Sequence, residues 1–231
     1  MAIHPTLDGP RLAPRAGQAK QLVVLLHGYG ADGDDLIGLG QAWADALPDT
    51  AFVSPHAPDA FPFGSGRQWY PLPTAYDRSA EDVLRALRAG VPTAATALDT
   101  FLDAELARWK LGNDALALVG FSQGATLALY GGLRRPARAV VAYSGALGAL
   151  PTPLPAPKPR VLLSHGARDE VVPVAALNAA ANSLRANGVD VQTRIVPQLG
   201  HGIDAEGVVL GARFLAEAVA SQGAPRGRDV S

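Results

Sequence analysis

Gly120-Phe121-Ser122-Gln123-Gly124 is the stretch that decides the fold. It follows the apolar run 115–119 and opens a helical pattern that continues to Leu133, so it predicts a strand, a sharp turn and a helix. A nucleophile elbow has this arrangement, because a strained turn lifts the serine Oγ above the sheet and requires small residues two positions before and after it. Gly120 and Gly124 meet that requirement. The alternative is a glycine-rich turn that carries an ordinary N-cap serine.

The composition is that of a globular chain. Hydrophobic residues make up 48% of the 231 positions and charged residues 18%, which excludes bulk disorder and predicts one domain over 1–221 with a flexible tail over 222–231. The net charge is -1 without a basic block, so we expect no nucleic acid partner. The absence of cysteine excludes disulfides and thiolate chemistry. No signal peptide or long apolar stretch is evident, which predicts a cytoplasmic protein without stable membrane insertion.

Short apolar runs alternate with longer helical patterns. The runs are nearly continuous in Val and Leu, as in a parallel sheet covered on both faces, so the chain predicts a doubly wound, mostly parallel α/β fold. The predicted strands are Gln21–Leu26, Ala51–Ser54, Leu116–Phe121, Ala139–Tyr143, Arg160–Ser164 and Val191–Val196. The predicted helices are Asp35–Ala46, Ala80–Ala89, Pro92–Lys110, Gln123–Arg134, Val174–Asn187 and Gly202–Ala220.

Three details of this pattern are less regular. Pro92 suits the first turn of a helix, so we expect it to divide the region from Ala80 to Lys110 into two helices. The residues up to about Lys20 are candidates for an antiparallel edge hairpin. The proline-rich segment Pro151 to Pro159 predicts an extended connector between two strands.

A serine nucleophile needs a base, and the base must be oriented by an acid. In this kind of fold both partners follow strands at their carboxyl ends, in the chain order serine, acid, histidine. Of the five histidines, only His165 and His201 follow Ser122, and no carboxylate at a strand end separates His165 from the serine. His201 follows the last predicted strand by a short loop, which makes it the predicted base; a solvated loop histidine or a helix cap is the alternative.

The acid is expected just past a strand between Ser122 and His201. Asp169 fits, and Glu170 beside it is the second candidate, whereas Asp190 precedes its strand and so lies at the wrong edge of the sheet. A turn or N-cap carboxylate is the alternative interpretation of Asp169.

The oxyanion that forms during acyl transfer needs backbone N–H donors. Gln123, which follows the nucleophile at a helix N-terminus, predicts one donor. The loop His27-Gly28-Tyr29-Gly30 predicts the other, and Tyr29 is the preferred residue because its glycine neighbours leave room for the acyl oxygen.

The same loop contains a rival motif. Residues 28–33 read G-x-G-x-x-G between a strand and a helix, which is the pattern of a dinucleotide site. The next strand lacks the acidic residue that would hold a ribose, and Asp32, Asp34 and Asp35 would repel a pyrophosphate. These aspartates are interpreted as helix caps rather than as metal ligands.

These segments together resemble the phospholipase/carboxylesterase family of α/β-hydrolases, which includes bacterial carboxylesterases and acyl-protein thioesterases. The matching segments extend from about Leu22 to Ala220; they are 26–32, 120–125, 143–145, 165–173 and 200–201. The resemblance implies Ser122, Asp169 and His201 as a catalytic triad, with Tyr29 and Gln123 as oxyanion donors.

The resemblance also implies hydrolysis of esters or thioesters without a cofactor or metal. Trp69 matches a tryptophan of the family and is a candidate wall of the acyl site, with a core or surface aromatic as the alternative. The short segment 69–74 predicts a small cap and therefore short, small-molecule esters. An acyl-protein thioesterase or lysophospholipase, and a non-catalytic binding protein of the same fold, are the other hypotheses. Homodimers are common in the family, which leaves monomer and homodimer open.

Overall fold

The computed structural model of the protein describes residues 6–73 and 79–220, and a seven-stranded sheet lies at its centre. In chain order the strands are β1 (Arg11–Leu12), β2 (Gln21–Leu26), β3 (Thr50–Val53), β4 (Asp59–Ala60), β5 (Arg67–Gln68), β6 (Leu116–Phe121), β7 (Ala139–Tyr143), β8 (Arg160–Gly166) and β9 (Val191–Val196). The spatial order is β1-β3-β2-β6-β7-β8-β9, and β4 pairs with β5 in a separate small sheet. Within the large sheet only β1 runs antiparallel to its neighbour.

Helices cover both faces of this sheet. They are α1 (Gly33–Trp43), α2 (Ala80–Trp109), α3 (Gln123–Gly132), α4 (Ala175–Ala186) and α5 (Ala205–Ala220), with a short 3-10 helix at Asn113–Ala115. Alternate residues of β2 belong to different core clusters: Leu22 and Val24 pack with α2, α3 and α4, while Val23 and Leu25 pack with α1 and α5. Side chains alternate across a strand, so continuous apolar strands fill two cores at once.

The structure confirms the predicted doubly wound architecture and every predicted strand to within two residues at either end. Within the described residues 6–20, the predicted antiparallel edge is present as one short strand, β1, which pairs with β3. The tail 222–231 lies outside the described residues, and the single domain over 1–221 stays a prediction.

Pro92 does not divide the helical region, and this prediction is wrong. Helix α2 is continuous from Ala80 to Trp109 and contains Pro92. A proline inside a helix frees the carbonyl four residues earlier, which here belongs to Arg88. Arg88 is exposed to solvent, so water can satisfy that carbonyl, while buried Val91 and Ala95 hold the helix against the core on the other side.

Two connections shape the carboxyl edge of the sheet, where the candidate site lies. The hairpin of β4 and β5 follows β3 and was not predicted, because two-residue strands leave no periodic signal. The segment 144–159 joins β7 to β8 without a helix, as its prolines predicted. The predicted small cap runs into residues 74–78, which lie outside the described residues, and it stays a prediction.

Among the described residues, no helix combines the length and the apolar character that crossing a membrane requires. The longest, α2, carries charged residues along its exposed face.

Candidate active site

The turn between β6 and α3 holds Ser122 in an unusual conformation. Its φ is 54° and its ψ is -114°, outside the regions that non-glycine residues prefer. A Cβ on Gly120 would overlap the backbone of Gly124, and one on Gly124 would overlap the carbonyl oxygen of Leu26. Both glycines are therefore required by close backbone approach, as the elbow motif predicted.

The loop between β9 and α5 brings His201 to the serine. His201 Nε2 lies 2.9 Å from Ser122 Oγ, and Nδ1 lies 2.7 Å from Asp169 Oδ2. A carboxylate only accepts hydrogen bonds, so Nδ1 carries the proton and Nε2 is free to accept from the hydroxyl. The Phe121 ring packs against the imidazole with centroids 4.9 Å apart, which restricts its rotation.

A salt bridge between Arg194 and Asp204 joins the two ends of the loop that carries His201. Arg194 on β9 donates to both carboxylate oxygens of Asp204, at 2.6 and 2.7 Å, and Asp204 also accepts from the N–H of Gly207 in α5. The hydrogen bond from Arg194 lowers the pKa of Asp204, although partial burial opposes this. The loop that carries His201 is thus tied at both of its ends.

Asp169 follows β8 and is buried. Its Oδ1 accepts hydrogen bonds from the N–H groups of Val171 and Val172, at 2.9 and 2.8 Å, while Oδ2 faces His201. Burial raises the pKa of Asp169, but the hydrogen bonds from His201, Val172 and Val171 outweigh it and leave the pKa below its usual value. Glu170, the second candidate acid, is exposed.

The remaining described histidines have other partners. His27 Nδ1 lies 2.8 Å from the Gly28 carbonyl oxygen and Nε2 accepts from the Ala57 N–H, so the buried ring is neutral with its proton on Nδ1. Burial lowers the pKa of His27. His165 Nε2 lies 3.2 Å from Asp169 Oδ2, and His4 lies outside the described residues.

The segments that carry the predicted oxyanion donors lie beside the serine. A Cβ built on Gly28 would be 3.6 Å from Ser122 Cβ, which places the loop containing Tyr29 against the nucleophile. Gln123 is the first residue of α3, so its backbone N–H has no acceptor within the helix. The two segments that carry Tyr29 and Gln123 therefore both adjoin Ser122, and the donor role of their N–H groups stays a prediction.

The side chain of Gln123 has a second task that the sequence did not predict. Its Oε1 accepts from the Trp69 N–H at 2.9 Å, and its Nε2 donates to the Tyr70 carbonyl oxygen at 2.7 Å. The Trp69 indole N–H in turn donates to the His27 carbonyl oxygen at 2.9 Å. These bonds tie the segment after β5 to both loops that flank Ser122.

Trp69 is therefore a buried connector, with 2% of its surface exposed. It also lines a largely apolar cavity of about 740 Å³ between residues 69–73 and helix α2. Ser122, Asp169 and His201 are not among the described residues that line this cavity. A role for Trp69 toward substrate remains a prediction.

The β4–β5 hairpin braces the loop that contains Tyr29. The Gly30 N–H donates to the Arg67 carbonyl, and the Arg67 N–H donates to the Ala31 carbonyl. Gly30 has φ +82°, and Phe61 packs across it and edge-on to the Tyr29 ring, with centroids 4.9 Å apart. The aromatic residue at position 29 is thus accommodated by a ring from the hairpin.

The glycine-rich segment 28–33 serves packing and capping. Asp32 caps α1 by accepting from the Asp34 N–H, and His56 Nδ1 accepts from the Gly33 N–H. Possible ligand atoms of Asp32, Asp34 and His56 lie within 4.8 Å of one another, but the capping bonds account for this proximity. A Cβ on Gly33 would overlap the Ser54 carbonyl oxygen, so its small size is explained without a nucleotide.

The strand order, the strained serine after β6 and the histidine after β9 define an α/β-hydrolase. Comparison with known sequences agrees: residues 7–218 match the sequence profile of the family described as Phospholipase/Carboxylesterase. The chain belongs to this family and is a carboxylic ester hydrolase.

Individual relatives agree with this assignment. The chain is 30% identical over 192 residues to esterase YpfH of Escherichia coli K12, covering 80% of this chain and 78% of that protein. It is 29% identical to acyl-protein thioesterase 1 of Schizosaccharomyces pombe, covering 70% and 74%. The crystal structure of esterase PE8 superposes with a TM-score of 0.87 at 44% identity, covering 93% of this chain and 100% of that one.

Proposed function

We propose that the protein is a serine carboxylesterase that hydrolyses small, short-chain esters through an acyl-enzyme on Ser122. One observation carries this proposal: an unbroken series of polar contacts runs from Ser122 Oγ to His201 at 2.9 Å and from His201 to Asp169 at 2.7 Å. That series is what activates a serine hydroxyl, which is a poor nucleophile by itself.

In the first half of the reaction Ser122 Oγ attacks the ester carbonyl carbon, and its proton moves to His201 Nε2. The tetrahedral intermediate then collapses, the bond to the alcohol oxygen breaks, and the alcohol leaves with the proton from His201. A water molecule repeats these steps on the acyl-enzyme and releases the acid. Asp169 stays ionised throughout and stabilises the imidazolium, in accordance with its lowered pKa.

The negative charge of the tetrahedral intermediate falls between the backbone N–H groups of Tyr29 and Gln123 in this proposal. The close approach of Gly28 to Ser122 and the position of Gln123 at the start of α3 support it. The positive end of the α3 dipole adds to the stabilisation of this charge. No cofactor or metal takes part in any step.

Short acyl groups are the proposed substrates because the short segment 69–74 predicts a small cap. Trp69 is proposed as a wall on the acyl side, since its hydrogen bonds to Gln123 and to the His27 carbonyl place it against both segments that flank Ser122. A series of p-nitrophenyl esters of increasing chain length tests this. We expect kcat/KM to be highest for acetate or butyrate and to fall for longer chains.

A thioesterase acting on lipidated protein is the second candidate, because one relative is an acyl-protein thioesterase. A palmitoyl thioester assayed beside the p-nitrophenyl series separates the two; a higher kcat/KM for the thioester would overturn the short-ester proposal.

A fluorophosphonate probe tests the non-catalytic hypothesis. Stoichiometric labelling of Ser122 is expected, whereas no labelling would support a binding protein. Homodimerisation and a cytoplasmic location remain predictions.

A further inference from the structure

His165 lies directly behind the candidate acid. It is the sixth residue of β8, its side chain is 1% exposed, and its Nε2 lies 3.2 Å from Asp169 Oδ2. The same nitrogen lies 2.7 Å from the Val172 carbonyl oxygen. Both neighbouring atoms only accept hydrogen bonds, so His165 Nε2 carries a proton.

These contacts form a closed circuit. His165 Nε2–H donates to the Val172 carbonyl, the Val172 N–H donates to Asp169 Oδ1 at 2.8 Å, and Asp169 Oδ2 faces back toward His165. Val172 is thus held twice: its carbonyl accepts from His165, and its N–H donates to Asp169. Because His165 also lies against Asp169, all three residues are linked to the same carboxylate. Such a circuit fixes both the position of the carboxylate and its rotation about Cβ–Cγ.

The rotation matters because the two carboxylate oxygens have separate tasks. Oδ1 is used by the N–H groups of Val171 and Val172, and Oδ2 is the acceptor for His201. His165 Nε2 lies 3.2 Å from Oδ2 and is hydrogen-bonded to the Val172 carbonyl oxygen at 2.7 Å, so it restrains Oδ2 both by its proximity and through the turn that carries Val172. A carboxylate displaced by about 1 Å would no longer align the imidazole with the serine.

We propose that His165 is a positioning residue for the esterase reaction: its Nε2–H holds Val172 and Asp169 so that Asp169 Oδ2 aims at His201. This inference rests on the proposed function, because it assigns His165 to the acid of that reaction. The polar contacts of the His165 side chain are to Val172 and Asp169, so its proposed effect on the serine and the base passes through Asp169.

Two amide variants make a matched test. Glutamine places a donor N–H near the position of His165 Nε2, whereas asparagine is too short to reach it. With p-nitrophenyl acetate, we expect His165→Gln to keep kcat within about threefold and His165→Asn to lower kcat by about 10- to 100-fold. KM should change little in both, because the substrate is not contacted. The rate of fluorophosphonate labelling of Ser122 should fall in parallel with kcat.

Circular dichroism and denaturant unfolding establish that both variants are folded at the assay temperature. Equal kcat in His165→Asn and the unaltered protein would overturn the proposal, as would equal losses of kcat in the two variants. If His165→Asn does not fold, long-range ¹H–¹⁵N spectra of the unaltered protein still decide. They should show the His165 proton on Nε2, and a proton on Nδ1 alone would overturn the proposal.

Ser122→Ala in the same series keeps the two proposals distinguishable. Activity that survives in Ser122→Ala refutes the serine mechanism, whereas the tautomer of His165 is measured without reference to turnover. Loss of activity in Ser122→Ala, with His165→Asn at full rate, refutes only the role of His165.

Discussion

Gln123 Oε1 accepts a hydrogen bond from the backbone N–H of Trp69 at 2.9 Å, across 54 positions of the chain. The other end of the same amide donates to the Tyr70 carbonyl oxygen at 2.7 Å. The residue that follows the elbow serine therefore joins the nucleophile to the segment that leads into the cap. Its side chain binds the segment 69–70, while its backbone N–H, at the start of α3, is the proposed oxyanion donor.

Replacing Gln123 by alanine should destabilise the protein by about 2 kcal/mol or more, because two buried backbone groups lose their partners. Denaturant unfolding measures this free energy. Gln123→Glu is the matched control: it keeps the acceptor for Trp69 but faces the Tyr70 carbonyl with a second acceptor, so an intermediate or equal loss is expected. A change below about 0.5 kcal/mol in the alanine variant, the range of ordinary surface substitutions, would contradict the importance of these bonds.

The strained backbone at Ser122 predicts that some inactive variants at this position are more stable than others. Ser122→Gly removes the steric penalty of φ 54°, so it should be more stable than Ser122→Ala by about 1 kcal/mol after the greater unfolded-state entropy of glycine is included. Thermal and denaturant unfolding of the two inactive variants make the comparison. Equal stabilities would indicate that the elbow stores no strain.

Asp169 should be required for turnover rather than for substrate binding. We expect Asp169→Asn to lower kcat on the order of 10⁴-fold with little change in KM, because an amide donor in place of Oδ2 favours the wrong imidazole tautomer. Steady-state kinetics with p-nitrophenyl acetate measure both constants. Glu170→Gln is the control, since Glu170 is exposed and should leave kcat unchanged. If Glu170→Gln lost kcat and Asp169→Asn did not, Glu170 rather than Asp169 would be the acid of the triad.

His27 predicts an acid-sensitive contribution to stability. Burial lowers its folded pKa below the usual value of 6.5, so the unfolded chain binds the proton more readily. The contribution is complete above pH 6.5 and is lost as the pH falls through the folded pKa. The free energy of unfolding should therefore decline more steeply on acidification than in His27→Gln, which keeps an acceptor for Ala57. Parallel curves for the two proteins would contradict this.

Much of the site is predictable because its signals are local. A continuous apolar run predicts a buried parallel strand, and the loops after such strands meet at one edge of the sheet, which is how Asp169 and His201 are assigned from spacing. The structure brings these side chains together with Ser122. The elbow glycines are equally readable, since the turn requires them wherever it occurs.

The parts that were missed depend on contacts between distant segments. The hydrogen bonds of Gln123 to Trp69 and Tyr70 form only in the tertiary fold, and the residues next to Gln123 in the sequence do not predict them. His165 was set aside as a base, although its spacing of four residues from Asp169 across a strand end was a usable signal. The helix break predicted at Pro92 is absent because packing of α2 against the core outweighs the local helix-breaking preference of proline.

The central claim is that Ser122 carries the acyl group, and mass spectrometry of a rapidly quenched reaction with p-nitrophenyl acetate tests it most directly. We predict one acetyl group per chain on the peptide that contains Ser122, and none in Ser122→Ala, whose turnover should fall on the order of 10⁶-fold. Acetyl groups on another residue, or Ser122→Ala turning over at the parent rate, would contradict the account.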